Sequence, residues 1–424
     1  MEKAVSPGNG KMTSATQGHW VALRDVEQEL RSAWMIADEE VRQARGEGML
    51  RLREVNLVIH AGEEAAGGRA RASAARVMRE HPGRVILLTP GNDPVLLSEP
   101  TEDCHMRGGD PAAFISTACF RDEESGRQVC SEEVVIQGPG EKWALPAAVL
   151  HLLVPDLPVV TWWLGDLEPS SPHFRWLTGV SDQLIMDSAS LDSPARELRD
   201  LVGTTPGDGE PHHAAIRDLS WLRAAAWRKL VAELFQGPER RLLLTDIDRL
   251  VVEHDSAFLQ ALLFASWFGS RLGFVTAGEG WWREKRGWCI RLVGSREADR
   301  LGPRAEGDRC LTVELREVAK GIEATPGLVA VSVLTNSPDP GEDIEGAQSI
   351  YLRRWPHSYS CVACVTGGPA EAMSKALELP PDEDWELVSA VLESPGRDPL
   401  FEEAAHVAAD LLSSTGAPGL PKTP

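Results

Sequence analysis

Two short runs that are apolar at almost every position, "REVNLVIHA" and "GRVILLTP", bracket an alanine- and arginine-rich segment from Glu63 to His81. A strand of continuous apolar character must be covered on both faces, and the segment between these two is long enough to be a crossover helix. The pattern is a βαβ unit, which starts a parallel sheet and commits the first half of the chain to the α/β class. Beyond it, "AAFISTACFR" and "RQVCSEEVVIQ" alternate apolar with polar residues around the turn-rich "DEESG", predicting an antiparallel hairpin added to that sheet.

The remaining elements follow from periodicity. "WVALRDVEQELRSAWMIADEEVRQAR" carries Val26, Leu30, Ala33 and Ala37 at helical spacing on a charged surface. "EKWALPAAVLHLLVPD" is a helix containing Pro146 that leads through Pro155 and Pro158 into the strand "VVTWWLG". A helix and short strand in "PHFRWLTGVSDQLIMDSA", a helix in "SPARELRDLV", a loop in "TTPGDGEPHH" and a helix from near Ser220 complete the first half. After the turn "GPERR" come the strand "RLLLTDIDRLVVEHD" and the very apolar helix "SAFLQALLFASWFGSRLGF". The strands "GWCIRLVGS", "CLTVELRE", "LVAVSVLTN", "QSIYLRRW" and "SYSCVACVTG" follow, then a last helix, "DPLFEEAAHVAADLLSS". The expected architecture is α/β: a mixed α/β sheet domain with helices on both faces over residues 20–237, then an α+β domain with a mainly antiparallel sheet over residues 238–413. Residues 1–19 and 414–424 are expected to be disordered tails.

No local motif for catalysis emerges. Gly62 and Gly67 have P-loop spacing, but Gly68 and Arg69 stand where the phosphate-reaching lysine and the magnesium-binding hydroxyl belong, and Glu63 and Glu64 would repel phosphate. No G-x-G-x-x-G follows a strand, and neither G-x-S-x-G nor H-E-x-x-H occurs. His212 and His213 are adjacent, and Cys104 and His105 lie near Asp103 and Asp110 without completing a zinc set. Asp246 and Asp248 fall on one face of an expected strand, where solvation explains them. The expectation is therefore no catalytic residues, no cofactor and no metal.

A formal charge of −21, from 43 Lys+Arg against 64 Asp+Glu, argues against nucleic-acid and anionic-membrane partners. Seven scattered cysteines do not form a secreted disulfide framework, and neither a signal peptide nor a membrane-spanning run is present, so the expected location is the cytoplasm. Cys361 and Cys364 in "CVAC" sit on an expected strand, where residues three apart face opposite ways and cannot be bridged.

The ordered set "REVNLVIHA", "HPGRVILLTP", "GRQVCSEEVVI", "LHLLVPDLPVVTWWLGD", "SDQLIMDSA" and "RDLSWLRAAAWRKLVAELF" resembles the glucose-6-phosphate dehydrogenase assembly protein family, OpcA. The resemblance covers roughly Glu54 to Phe235, and more weakly the helix "LLFASWFGSRLGF". It implies a non-catalytic partner that assembles or allosterically activates glucose-6-phosphate dehydrogenase, the NADP-dependent entry enzyme of the oxidative pentose phosphate pathway. Cyanobacterial members are associated with thioredoxin-dependent control through cysteines. This chain has no cysteine beyond Cys364, and its close pair is badly placed, so redox control is not carried over. The alternative is an α/β enzyme or binding protein for a sugar phosphate or nucleotide at the "TWWLGD" edge, with Arg175, Arg217, Arg223 and Arg228 as its cations.

The skew of 14 Trp against 2 Tyr and 9 Phe draws attention to Trp162 and Trp163, at the carboxyl end of their strand. Neighbours on a strand face opposite sides, so one is expected to pack under the helices and the other to lie toward the loop near Asp166. Trp162, Trp163, Asp166, Asp218, Trp221 and Arg228 are the candidate partner-binding residues, since strand carboxyl ends in open α/β sheets carry binding loops.

Overall fold

The computed structural model describes residues 12–15, 18–45, 52–62, 64–90, 112–121, 128–138, 144–167, 169, 171–202, 214–276, 280–294, 309–318, 327–335, 348–355, 358, 360–366, 374–379 and 383–418. The chain forms two compact units from interleaved segments. Unit 1 takes Met1–Met186, Gly209–Arg217 and Asp384–Arg397; unit 2 takes Asp187–Asp208, Asp218–Glu383 and Asp398–Pro424. A single boundary near Gly237 is thus not how the chain divides. The chain enters unit 2 three times, because a strand and a helix distant in sequence complete unit 1.

Unit 1 contains β1 (Met12–Ala15), β2 (His19–Ala22), α1 (Val26–Arg45), β3 (Val55–Ala61), α2 (Glu64–Glu80), β4 (Gly83–Pro90), β5 (Ala112–Arg121), β6 (Gln128–Gly138), α3 (Ala144–Leu152), β7 (Val159–Leu164), α4 (Pro172–Gly179) and β8 (Gln183–Met186). After α5 (Pro194–Val202), which belongs to unit 2, comes β9 (Ala215–Asp218). The sheet runs β1-β5-β6-β4-β3-β7-β8-β9, with β2 also on β5. β6, β4, β3, β7 and β8 are parallel, and β5 is antiparallel to β6. The expected βαβ unit and hairpin are both present.

Register assigns the two faces of this sheet. Arg84 lies opposite Glu132, and Glu132 accepts from Arg84, from Arg53 and from the Trp34 indole of α1. Arg84 also donates to Glu27 of α1 and to Leu152 O, 2.5 Å away at the end of α3. This face therefore carries α1 and α3. One residue along, Ser131 and Glu133 face the other way, bonding Met78 O and Arg71 of α2. Burial works against the Arg84 charge, but Glu132 and Glu27 outweigh it and hold the guanidinium above its usual pKa.

Unit 2 continues with α6 (Leu219–Arg223), α7 (Ala225–Leu234), α8 (Pro238–Leu243), β10 (Ile247–Asp255), α9 (Phe258–Arg271), β11 (Phe274–Thr276), β12 (Trp282–Glu284), β13 (Gly287–Gly294), β14 (Cys310–Glu317), β15 (Gly327–Thr335), β16 (Gln348–Arg354), β17 (Ser360–Thr366) and β18 (Ser374–Glu378). α10 (Asp384–Glu393) returns to unit 1, and α11 (Pro399–Leu412) ends unit 2. The sheet order is β11-β13-β14-β10-β15-β16-β17-β18, antiparallel except for the β10–β14 pair. α9 packs on β10, β14 and β15, burying Leu262, Phe264 and Ala265 almost completely. Small residues of α11, Ala404, Ala405, Ala408 and Ala409, let it pack closely on α5 and α9.

Several expectations are corrected. Residues 12–15 are not a disordered tail but a strand on β5, and His19–Ala22 is a strand rather than the start of α1. Residues 414–418 are also ordered, since Trp281 N–H donates to Thr415 O at 2.8 Å. The strand expected from Arg241 starts at Ile247, after α8, and Asp246 lies in the intervening turn. The helix from near Ser220 is two helices, α6 and α7. Cys119 and Cys130 face each other across β5–β6 and are joined in a disulfide beside Trp34. Hairpin register, invisible in cysteine counting, brings them together. Cys361 and Cys364 do lie on a strand, β17, one buried and one half-buried. Cys104, His105, Asp103, Asp110, His212 and His213 lie outside the described residues. Among the described residues no group of three or more His, Cys, Asp or Glu is placed to hold a metal, and no helix is long and apolar enough to cross a membrane.

Removing one member of a buried ion pair leaves the other charge uncompensated, which costs about 3–5 kcal/mol. Arg84→Met and Glu132→Gln are each expected to lose that much in urea unfolding. The double variant should lose clearly less than the sum, because the two side chains share one interaction. Strict additivity would show that the pair is not coupled.

Candidate functional site

In unit 1, Trp162 aligns with Ile59 and Trp163 with His60 on the parallel strand β3. Following that register to Arg84 places Trp163 on the α1/α3 face and Trp162 on the α2 face, so the pair divides between the two layers. Trp163 stacks on His60 with centroids 3.8 Å apart and meets Phe174 of α4 edge-on at 5.0 Å. His173 closes the cluster, 4.8 Å from His60. α4 is held at this edge by Ser171, whose hydroxyl accepts from Phe174 N–H at 3.1 Å, and by Pro172 in the first turn.

The loop after β7 is built on this cluster. Trp163 Nε1 donates to Asp166 O at 2.9 Å, and Gly165 turns the chain with φ +94°, a conformation that favours glycine. Asp166 is exposed at the turn, whereas Trp162 and Trp163 are buried. Trp162 Nε1 has no hydrogen-bond partner among the described residues.

In unit 2, Asp218 and Trp221 come together with Arg228. Asp218 caps α6, accepting from Ser220 N–H and Trp221 N–H at 3.2 Å, and it also accepts from Ser188 N–H at 2.7 Å and Ser188 Oγ at 2.8 Å. Asp187 accepts from Ser220 Oγ at 2.6 Å and from Arg223 at 2.7 Å. Trp221 Nε1 donates to Asp398 at 2.8 Å, and Asp398 in turn caps α11 through Leu400 N–H and Phe401 N–H. The Arg228 guanidinium lies 3.3 Å above the Trp221 ring and donates to Trp221 O at 2.7 Å.

Asp187, Asp218 and Asp398 are the first residues of the three segments that enter unit 2, and one hydrogen-bonded network joins them. Asp218 stood out in the sequence as a candidate, whereas Asp187, Ser188 and Asp398 did not. Each aspartate opens a cap pattern, "DSAS", "DLSW" or "DPLF", which could have marked three helix starts. Nothing local could have shown that they converge.

Both oxygens of the Asp218 carboxylate are fully engaged and it is completely buried, so it braces helix ends and has no face left for a substrate. Burial and then the neighbouring Asp187 push its pKa up to about 7, against the lowering effect of the Ser188 bonds. Arg228 is lowered to about 10 by burial, although Asp398 and Asp218 support its charge. Of the six candidate residues, Asp166 is exposed, Arg228 is half-buried and the other four are buried.

A carboxyl whose pKa is raised on folding favours the folded state when protonated. The Asp218 contribution is complete below its unfolded pKa of about 3.8 and is lost as pH rises through about 7. His254, lowered to about 4 by burial, acts in the opposite sense below its ordinary 6.5. Above pH 6.5 the fading His254 contribution is outweighed by that of Asp218, so between pH 6.5 and 8 wild-type stability should fall modestly with pH and Asp218→Asn should remove that fall. Urea unfolding at stepped pH measures it, and equal slopes would exclude Asp218 as the source.

Known proteins give this geometry its family. Residues 74–202 match the model described as the glucose-6-phosphate dehydrogenase subunit N-terminal domain, and residues 214–405 match that subunit's C-terminal domain. An OpcA protein of Synechococcus elongatus, named for the OxPP cycle, is 29% identical over 322 residues, covering 73% of this chain and 66% of its own. Its namesake in Nostoc punctiforme is 25% identical over 71% of this chain and 61% of its own length. The chain thus spans less than two thirds of these relatives. A solved oxidoreductase domain protein from Kribbella flavida aligns over 86% of this chain and 96% of its own at 10% identity, but its TM-score of 0.43 carries no structural argument. With both domain models matched in order along the sequence, the chain belongs to the OpcA family.

Proposed function

We propose that this chain is a non-catalytic partner of glucose-6-phosphate dehydrogenase that assembles or allosterically activates the enzyme and so supports NADPH production in the oxidative pentose phosphate pathway. The observation that carries this reading is the consecutive match to the two dehydrogenase-subunit domain models over residues 74–202 and 214–405. The packing supports it: the most conspicuous polar cluster, around Asp218 and Trp221, is saturated by its own helix caps.

The sugar-phosphate alternative needs cations at the carboxyl edge of the N-terminal sheet. Arg223 is bonded to Asp187, Arg228 lies on Trp221, and Arg217 donates to Gly396 O. Arg223, Arg228 and Arg217 are thus engaged within their own units, which disfavours that reading.

An activator shifts an enzyme only by its differential affinity for two states of that enzyme. The purified chain should reduce no NADP with glucose 6-phosphate, and adding it to the dehydrogenase should raise kcat/KM or shift the enzyme to a larger assembly by light scattering. If kinetics and assembly are both unchanged at saturating chain, the reading is wrong.

Within this reading the docking edge is the Asp166 loop, braced by Trp163. Asp166→Lys is expected to weaken dehydrogenase binding about tenfold with thermal stability within about 0.5 kcal/mol of wild type. Trp163→Ala should lose about 3–5 kcal/mol of stability. Unchanged binding by Asp166→Lys would move the docking surface elsewhere.

A further inference from the structure

The hairpin of β12 and β13 puts a compact cationic and aromatic surface on a strongly acidic chain. Within it Arg283, Lys285, Arg286 and Arg291 stand against one carboxylate, Glu284, whereas the whole chain has 43 Lys+Arg against 64 Asp+Glu. All four cationic side chains are exposed. β12 is three residues long, and β13 is its one strand partner among the described residues, so it forms an edge of the unit 2 sheet.

The surface is held rigidly. Pairing across the hairpin sets Trp282 opposite Cys289 and Arg283 opposite Trp288, so the two indoles fall on opposite faces. Both are half-buried, and each has a guanidinium over its ring: Arg283 lies 5.1 Å from the Trp288 centroid and Arg291 lies 5.9 Å from that of Trp282. Trp282 Nε1 donates to Glu284 at 3.1 Å, which holds the one carboxylate against its own strand. At the root of the hairpin, Trp281 N–H donates to Thr415 O and its Nε1 to Leu411 O, both at 2.8 Å, tying the strand to the end of α11. At the turn, Gly287 closes onto β14 where a Cβ would collide with Leu315 O. A guanidinium already laid on an indole loses little further freedom when it meets a carboxylate.

Charge alone is enough to keep an edge strand from pairing with other chains. The half-exposed indoles go beyond that need, and tryptophan with arginine is the composition that carries binding energy at protein interfaces. The positive charge then selects the partner. A nucleic acid needs a continuous basic track, and it would meet the repulsive field of a chain with a formal charge of −21. A compact cluster of carboxylates on a folded protein needs only a short-range complement, which the hairpin presents.

We propose that the β12–β13 hairpin is a docking surface for a carboxylate-rich patch on glucose-6-phosphate dehydrogenase, with Arg283 and Lys285 meeting the carboxylates and Trp282 and Trp288 supplying the apolar contact. The identity of the partner rests on the proposed function, whereas the surface and the charge it selects rest on the hairpin. This contact belongs to unit 2 and is opposite in charge to the Asp166 loop of unit 1, so either can fail alone.

Binding of the full chain to the purified dehydrogenase, measured at two salt concentrations, tests it. Lys285→Glu changes an exposed turn residue and is expected to weaken binding about tenfold at about 50 mM salt, and Arg283→Glu should act in the same sense. Raising salt to about 500 mM should close most of that gap, because screening weakens exposed charges and leaves a packing defect untouched. Lys285→Arg should bind as wild type does. Trp282→Ala should weaken binding about tenfold at both salt concentrations. If wild type binds and both charge reversals bind as tightly at low salt, the hairpin is not the docking surface and the proposed function stands. A gap that stays open at high salt overturns the role of charge. If wild type does not bind the enzyme at all, the proposed function falls and this docking surface falls with it. A single-stranded RNA oligonucleotide is the polyanion probe: binding that Lys285→Glu abolishes, with dehydrogenase binding unaffected, assigns the hairpin to nucleic acid and overturns the protein partner.

Discussion

One buried carboxylate, that of Glu132, sets the order of unit 1. It accepts from an indole and two guanidinium groups, and the nearer guanidinium, Arg84, reaches on to α1 and to the last carbonyl of α3. Charges this deep are tolerated only when paired and hydrogen-bonded. Sliding β4 by one residue against β6 would turn Arg84 toward the α2 face and strand both charges. Hydrophobic pairing alone would tolerate that slip better, since Val85, Ile86 and Leu87 are interchangeable in kind. Asn56 plays the same part on the next strand, exchanging hydrogen bonds in both directions with Val154 and so fixing the entry into β7.

Much of this was legible in the sequence because it was periodic. The βαβ unit, the β5–β6 hairpin, the buried helix α9 and the strand character of "CVAC" follow from spacing alone. What failed was set by contacts remote in sequence. Met12–Ala15 is only four residues long, with no run of β-branched or aromatic residues, and becomes a strand because β5 offers it an edge. "RLLLT" has strand-like composition, yet Pro238 at its head starts a helical turn, α8. The Cys119–Cys130 bridge depends on hairpin register, which the turn sets and composition does not.

The candidate site was legible to a different degree. Strand alternation separated Trp162 from Trp163 correctly in direction, and the link from Trp163 to Asp166 is present. Asp218, Trp221 and Arg228 do meet, but as an interior brace: a tryptophan held between Arg228 above its ring and Asp398 at its nitrogen has no open face to offer. Sequence shows that such residues are chemically rich. It does not show whether their partners come from the same chain.

Polar groups whose partners are internal brace the helix starts of unit 2. Asp187, Asp218 and Asp398 each sit at a helix start and each is satisfied there, so the three helix ends they cap need nothing from solution. α9 has the same need for a cap but takes none from its own residues, and the neighbouring His254 nitrogen is left in the same condition. Both deficits fall at one turn, on the parallel pair β10–β14, where a helix follows its strand directly. Helix ends elsewhere in unit 2 show that the chain can supply an aspartate cap where one is required. Asp255 lies two residues before the capping position of α9, and its carboxylate accepts from the hydroxyl of Ser256 at 3.0 Å instead of from the first amides of the helix.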